Sequence, residues 1–361
     1  MSAAAGPVVR LLEPLIVPAV FDFWAQKVNP TFSWERCLAR VVARHMEARD
    51  TVTLELQANR HFPGFRAGQH LNLSVEVDGV RLTRCYSPVT PPSDDRRFAV
   101  TVRREPGGRV SGYLVDHVRP GDVIEVGPGG AFGELLPNAP VPPGPWLLVA
   151  GGSGITPLWS MAQWLLAERP DTEVHLFYWV RQRQDLCFQS GLLALRARHP
   201  NLTVTTVLTG DSPELDGELQ GRPQAHHFAA LAARLSECHA RVCGSREFVA
   251  SVTSLLSESV ADLASEAFSR PQPGPAQGHV SVTLARSGRT VSVPAGVSLL
   301  EGLEQAGLSP AYGCRRGICN TCACHKQAGA TEGLVDGRLN SEAGEVRLCI
   351  SAPRSDIALE L

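Results

Sequence analysis

The stretch YGCRRGICNTCACHKQ, Tyr312 to Gln327, carries Cys314, Cys319, Cys322 and Cys324. What these thiols bind, and whether all four take part, decides how the rest of the chain is read. The chain has 361 residues, enough for two or three domains that each bury a core. It is 43% hydrophobic and 19% charged, an ordinary globular composition rather than a disordered one. A net charge of −2 gives no global reason to expect nucleic acid or anionic lipid as a partner. The N-terminus lacks a basic region followed by an unbroken apolar core and a cleavage site, so no secretory signal is expected. The expected compartment is the reducing cytoplasm, where clustered cysteines serve metals or redox groups rather than disulfides.

The spacing is Cys314-x4-Cys319-x2-Cys322, with Cys349 after 26 intervening residues, 323 to 348. This is the plant-type [2Fe–2S] pattern: three ligands on one loop and a fourth from a distant segment can enclose a two-iron rhomb. Thiolates are soft donors suited to such clusters, and loop amides aimed at the sulfurs tune the potential. Gly313 and Gly317 supply permissive backbone for the wrapping. Structural zinc is the rival, but its sites usually pair two C-x2-C knuckles and only one is present. Cys324 is surplus to the four ligands and is expected to be a small buried thiol.

Upstream, short runs rich in Val, Leu and Thr between Arg36 and Gly133 predict an antiparallel β-barrel. The Pro-rich LPNAPVPPGP (Leu136 to Pro145) marks a boundary. The pattern then changes. WLLVA (Trp146 to Ala150) reads as a strand buried on both faces, followed by the loop GGSGITP and an amphipathic helix with Leu158, Met161, Ala162 and Leu165 at helical spacing. EVHLFYWV, LTVTTVLTG and ARVCGS are further strands of one parallel sheet. SRPQPGPAQG (Ser269 to Gly278) is a linker by composition. The expected organisation is a tail over 1–35, a barrel over 36–140, an α/β nucleotide domain over 141–270 and a compact α+β module over 279–361. The early segment from Val8 to Trp24 is broken by Pro14 and Pro18 and is too interrupted to span a bilayer. It is expected to lie on the body of the protein, with docking to a membrane-bound partner as the alternative.

RCYSP (Arg84 to Pro88) sits at a strand end and carries the chemistry of a flavin nucleotide site. An aromatic ring can cover a flavin face, a hydroxyl can bond the reactive ring nitrogen, and a guanidinium can hold a pyrophosphate bidentately. In GGRVSGYL, Gly108, Arg109, Val110 and Ser111 open a helix, and helix N-termini favour phosphates. GPGGAFG (Gly127 to Gly133) is expected to be a turn leaving the barrel. GGSGITP is not a Rossmann G-x-G-x-x-G, because Pro157 stands where the third glycine would be. His226 and His227 are expected to be a solvated pair.

The C-terminal module closely resembles plant-type ferredoxins in YGCRRGICNTC and in LCIS around Cys349, with Asn320 where that family usually has glycine. RCYSP, GGRVSGYL, GPGGAFG, LLVAGGSGITP and VCGS occur in the order seen in ferredoxin–NADP⁺ reductase-like flavoproteins. The combined layout, over about Phe32 to Leu361, resembles the reductase component of a multicomponent oxygenase or desaturase. The N-terminal FDFWAQKVNPTFSW is similar to reductases that serve fatty-acyl desaturases. The resemblance implies FAD on the barrel, a nicotinamide nucleotide on the α/β domain and a β-grasp ferredoxin domain. It implies flavin contacts from Arg84, Tyr86, Ser87, Pro88, Val102 and Gly108 to Ser111. It implies nucleotide contacts from Gly152, Ser153, Gly154, Ile155, Thr156 and Gly244. It places Cys243 and Glu266, with Ser87, where the nicotinamide meets the flavin.

Arg181 and Arg183, after the second α/β strand, favour a 2′-phosphate and hence NADPH, while Asp185 keeps NADH open. A nicotinamide gives up two electrons together and a [2Fe–2S] cluster accepts one at a time, so a flavin stands between them. No pocket or general acid for a third molecule is evident. The final oxidation is therefore expected on another protein: a terminal oxygenase, a hydroxylase or a membrane desaturase. Arg315 and Arg316 hint at an acidic surface on that acceptor. The alternatives are an electron-transfer subunit of a dehydrogenase, whose fourth cysteine usually lies much closer to the third, and a flavin/iron–sulfur redox sensor. No nucleic-acid-binding motif is present.

Overall fold

The computed structural model describes residues 17–133, 135, 141–215, 217–268, 278–317, 320–335 and 337–361. Residues 1–16 of the expected tail, the linker 269–277 and the expected ligand Cys319 lie outside the described residues.

Helix α1 (Pro18–Val28) begins with proline at its first turn, where the missing N–H costs nothing. It is pinned to the barrel by one buried carboxylate. Asp22 accepts hydrogen bonds from Ser33 Oγ at 2.9 Å, Trp34 N at 2.7 Å and Arg36 Nε at 3.0 Å. Burial alone would raise its pKa, but the donors outweigh that and hold it below the usual carboxylate range. The helix leaves Val20, Phe23, Trp24 and Val28 exposed.

The barrel follows as β1 (Cys37–Ala48), β2 (Thr51–Ala58), β3 (His70–Val77), β4 (Val80–Tyr86), β5 (Arg97–Arg103), α2 (Arg109–Asp116) and β6 (Val123–Phe132). The strands run antiparallel in the order β4-β3-β6-β1-β2-β5. A bridge between Pro88 and Val100 joins the chain after β4 to β5, bringing the two sheet edges together. Asp78 (φ 53°) and Gly79 (φ 71°) turn the β3–β4 hairpin, as a tight turn with two left-handed residues requires. Leu54, Leu56, Leu71 and Leu73 are completely buried in the barrel core. GPGGAFG is not a turn: β6 continues through it, pairing Ala131 with Leu71 and Phe132 with His70 after a register shift. The extra length carries the strand past the barrel rim to the domain seam.

The second body comprises β7 (Trp146–Gly151), α3 (Ile155–Glu168), β8 (Val174–Val180), α4 (Gln189–Arg198), β9 (Leu202–Leu208), β10 (Leu219–Gln220), β11 (His239–Gly244), α5 (Arg246–Leu256) and β12 (Asp262–Ala267). Its parallel sheet has the order β10-β9-β8-β7-β11-β12. The order reverses between β7 and β11, which opens a crevice at their carboxyl ends. Helix α3 is buried on more than one stripe: every residue from Ile155 to Ala162 is buried, not only the expected face. The cause is the barrel behind it. Ser160 Oγ donates to Thr90 O at 2.6 Å and Gln163 Nε2 to Val89 O at 2.9 Å. The barrel also reaches the nucleotide domain through Arg49 Nη2 on Asp185 Oδ1 at 2.9 Å and Phe188 N on Glu47 Oε1 at 2.7 Å.

The C-terminal module contains β13 (His279–Leu284), β14 (Arg289–Pro294), α6 (Leu299–Gln305), β15 (Ala323–Ala328), β16 (Thr331–Gly333), β17 (Leu339–Asn340), β18 (Gly344–Arg347), β19 (Ser351–Pro353) and β20 (Ile357–Leu359). One sheet runs β14-β13-β20-β15-β18, with α6 packed against β14, and a small second sheet runs β17-β16-β19. Among the described residues no helix is long and apolar enough to cross a membrane.

Asp22→Ala removes the acceptor for three donors, a loss of about 1–3 kcal/mol. Local opening of α1 then becomes roughly tenfold more populated, since about 1.4 kcal/mol is a factor of ten. Trypsin cleavage after the exposed Lys27 is expected to accelerate by that factor, and unchanged cleavage kinetics would show that α1 is held by other contacts.

Candidate redox site

A cavity of ≈ 1300 Å³ opens where the three bodies meet, and all three line it. The barrel contributes Arg84, Cys85, Tyr86 and Ser87 from the end of β4, and Gly108 to Ser111 from the start of α2. The nucleotide domain contributes Gly151, Gly152, Ser153 and Thr156 after β7, Arg181 after β8, and Glu266 and Phe268 at the end of β12. The ferredoxin-like module contributes Tyr312, Cys314 and Arg316.

On the barrel side, Ser87 Oγ is buried and has no hydrogen-bond partner among the described residues. A desolvated hydroxyl left unpaired is costly, so this one marks a place for a ligand atom. Burial also pushes the Tyr86 hydroxyl well above its ordinary pKa, against the pull of Arg84 and Arg316, so the ring stays neutral. Gly108 caps α2 without room for a side chain: an added Cβ would stand 2.4 Å from Ser111 Oγ. The first-turn amides of α2 therefore meet the cavity bare, as a phosphate group requires. An unpaired hydroxyl, an aromatic face, a guanidinium and an open helix N-terminus around one cavity fit a flavin nucleotide. Pro88 is not part of the cavity wall; it closes the barrel instead. Val102 points away from the site into the barrel core, and its neighbours Thr101 and Arg103 line the cavity in its place. Alternation along a strand explains the displacement by one residue.

On the nucleotide side, β7 and β11 approach closely. Gly151 and Gly244 lie under the Phe248 ring, where an added Cβ would come within 2.8 and 2.6 Å of it. Gly154 is tighter still: its Cβ would stand 2.1 Å from the Cys243 carbonyl oxygen. Gly154, Ile155 and Gly244 thus shape the loop from behind, while Gly152, Ser153 and Thr156 face the cavity. Cys243 is fully buried in the core, and burial, then Glu266, pushes its thiol well above the ordinary value. It supports the loop and does not line the cavity.

The arginines divide. Arg181 is exposed and lines the cavity. Arg183 does not: its Nη2 lies 2.6 Å from Glu218 Oε2 and its Nη1 3.1 Å from Glu214 Oε2. That pairing holds the Glu218 carboxyl down to about 2. Arg222, which sequence reasoning did not single out, lines the cavity instead. Asp185 is buried on Arg49 and accepts a second contact from Arg103 at 3.9 Å, so its carboxylate is engaged in joining the two domains.

The cluster loop wraps through left-handed backbone at Arg315 (φ 56°), Gly317 (φ 81°) and Asn320 (φ 54°). Asparagine tolerates that region, which accounts for its standing where glycine is usual. Arg316 N donates to Cys314 Sγ at 3.3 Å. Among the described residues no three His, Cys, Asp or Glu side chains close around one metal ion. The described thiols are linked instead, Cys314 and Cys322 each to Cys349. These contacts push the Cys349 thiol up and the Cys322 thiol down. Three thiols from two distant segments brought within hydrogen-bonding reach fit thiolate ligation of iron. Cys324 is buried in the module core and burial raises its thiol. Cys314 itself packs against Cys85 of β4, the residue between Arg84 and Tyr86.

Neither loop arginine is free to meet an acceptor. Arg315 lies over the Tyr312 ring, 3.9 Å from its centroid, and is bidentate on Glu304. Arg316 turns inward, donating to Phe268 O at 3.0 Å. Likewise His227 is buried, with its ring against Gln224 O at 3.2 Å and Gln220 O at 3.1 Å; only His226 is exposed. Sequence reasoning also missed His70, Arg222 and Phe268. Phe268 was detectable, because it lies two residues beyond Glu266 and so on the same side of an extended chain.

Known proteins agree with this geometry. Family models match as an oxidoreductase FAD-binding domain over 39–133, an oxidoreductase NAD-binding domain over 148–254 and a 2Fe-2S iron-sulfur cluster binding domain over 282–354. An NADPH oxidoreductase of Mycobacterium tuberculosis is 29% identical over 98% of this chain and 91% of its own length. The ferredoxin reductase component of 3-ketosteroid-9-alpha-monooxygenase from the same organism is 32% identical over 81% of this chain and 84% of its own. The structure of phthalate dioxygenase reductase superposes with a TM-score of 0.59 at 25% identity, covering 90% of this chain and 97% of that one. The chain belongs to the ferredoxin-reductase-like flavoproteins that carry an appended [2Fe–2S] domain. It is an NAD(P)H-dependent oxidoreductase that uses FAD and a [2Fe–2S] cluster.

Ser87→Ala separates a ligand-binding hydroxyl from a structural one. Removing an unpaired buried group leaves the cofactor-free chain as stable or more so in a thermal melt. Flavin reduction by NADPH slows about 2- to 10-fold, the worth of one neutral hydrogen bond. A destabilised cofactor-free chain would sink this assignment. Gly154→Ala is expected to abolish nucleotide use, with the visible absorption of the cluster retained.

Proposed function

We propose that the chain is the reductase component of an oxygenase-type system. It takes electrons from NADPH and delivers them singly, through the [2Fe–2S] domain, to a separate oxygenase, hydroxylase or desaturase. The observation that carries this reading is the single cavity bounded by all three domains, with the ligand Cys314 in its wall. When bound, a flavin accepts an electron pair from a nicotinamide and releases electrons one at a time, and a two-iron cluster carries one.

The chain's own residues supply binding and placement. Arg84 and the first turn of α2 would hold the flavin phosphates, and Tyr86 and Phe268 would border its ring. Ser87 would bond the ring nitrogen. The amides from Ser153 to Thr156 would hold the nicotinamide nucleotide's pyrophosphate, with Glu266 beside the nicotinamide. Cys85 against Cys314 would set the flavin strand beside the cluster loop.

The names of the relatives support an oxygenase acceptor, and the cysteine-ligated cluster favours the cytoplasm. The exposed Phe23 and Trp24 of α1, with Lys27 beside them, support the N-terminal helix as the part that meets a membrane-associated acceptor.

Anaerobic NADPH is expected to bleach the flavin and produce the electron-spin signal of a reduced [2Fe–2S] cluster, and cytochrome c is reduced on its addition. A purified chain that hydroxylates or desaturates a substrate unaided would overturn the proposal. Arg181 and Arg222 are assigned to the 2′-phosphate. Replacing either with alanine is expected to raise KM for NADPH about 10-fold or more and leave NADH unaffected, as loss of a charge-assisted hydrogen bond predicts. Arg183→Ala is expected to change it less than about threefold, because that guanidinium already serves Glu218. A larger effect at Arg183 than at Arg181 would reverse the assignment.

A further inference from the structure

Glu266 lies in β12 beside Gly133 at the barrel rim, and it is 9% exposed. Among the described residues neither of its carboxylate oxygens makes a conventional hydrogen bond. A buried carboxylate is tolerated only when something compensates its charge. The group that faces it comes from the other domain. His70, 1% exposed, opens β3, and its Nδ1 stands 3.3 Å from Glu266 Oε1. Gly133 makes room for this pair. At φ +98° it brings the end of β6 alongside the imidazole, and a Cβ there would stand 3.0 Å from His70 Nδ1 and 3.7 Å from Glu266 Oε2. His70 and Glu266 both line the cavity that Ser87 also enters. The pair therefore joins the flavin barrel to the last strand of the nucleotide domain, at the place where the two bound rings have to meet.

We propose that His70 is a positioning residue: through its Nδ1 it holds the Glu266 carboxylate across the domain seam and so sets how the nicotinamide is presented to the flavin. The inference rests on the reading that this cavity takes both nucleotides. Reacting rings must approach within a narrow window, and a displacement of about 1 Å can cost roughly 10²-fold in rate. Among the described residues neither carboxylate oxygen has a hydrogen-bond partner, so His70 is the neighbour that can keep it in place.

The test uses the holoenzyme. The wild type is first reduced anaerobically with NADPH; failure there overturns the functional reading rather than the role of His70. His70→Leu and Glu266→Gln are each expected to slow single-turnover flavin reduction about 10²-fold. Each is also expected to lose the flavin absorbance change that NADP⁺ induces without turnover. The double variant should lose no more than about threefold beyond either single one, because coupled residues are not additive. His70→Asn, whose amide nitrogen takes the place of Nδ1, should restore both readouts, and His70→Gln, whose nitrogen lies nearer Nε2, should not. Multiplying losses in the double variant, or wild-type behaviour in His70→Leu, overturns the proposal. If His70→Leu does not retain FAD, the Asn and Gln variants decide alone: Asn above Gln upholds it, and equal behaviour overturns it.

Discussion

The contact between Cys85 and Cys314 is the one on which the arrangement depends. Cys85 sits in the strand that ends in the flavin-site residues, and its thiol is turned toward Asn72 Oδ1 at 2.9 Å, which keeps the side chain in place. Cys314 is the first cysteine of the cluster loop. Packing one on the other brings the [2Fe–2S] domain to the cavity wall rather than leaving it at the end of a linker. Arg316 secures the same junction, since its backbone N–H serves the Cys314 sulfur and its guanidinium binds the Phe268 carbonyl. One residue of the loop thus touches both Cys314 and the nucleotide domain. Arg246 Nη1 on Leu334 O at 3.2 Å adds a second tie between those two domains.

Charge is distributed by the same logic. Guanidiniums at the domain junctions are paired inside the chain: Arg49 on Asp185, Arg315 on Glu304, Arg183 on Glu218. Those at the cavity, Arg84, Arg181 and Arg222, are placed where a phosphate-rich ligand would meet them. The glycines follow a related division. Gly154 and Gly244 permit backbone and ring contacts that any side chain would break, so they shape the site without facing it.

Much of the site could be read from short stretches, because the chemistry there is local. Four residues of RCYSP, the first turn of GGRVSGYL and the cysteine loop each act through neighbours in sequence. The misplacements came from long-range partners. Arg183 and Arg181 are two residues apart, yet Glu218, 35 positions away, engages only one of them. Val102 failed by a single step of strand alternation, since the barrel core and the cavity take opposite faces of β5. GPGGAFG looked like a turn because glycine weakens a strand in isolation, but pairing with β3 holds it extended. His227 looked solvated until the turn around Gln220 and Gln224 enclosed it.

By itself the sequence determined the three kinds of domain, their order and the cofactors, since ligand spacing, strand patterning and phosphate-binding turns are properties of contiguous residues. Tertiary structure alone decided which arginines face the cavity, that Asp185 joins domains instead of awaiting a ribose, and that His70 faces Glu266. Those outcomes depend on which distant side chain arrives within hydrogen-bonding distance, and such distances are set only when the three domains close on one another.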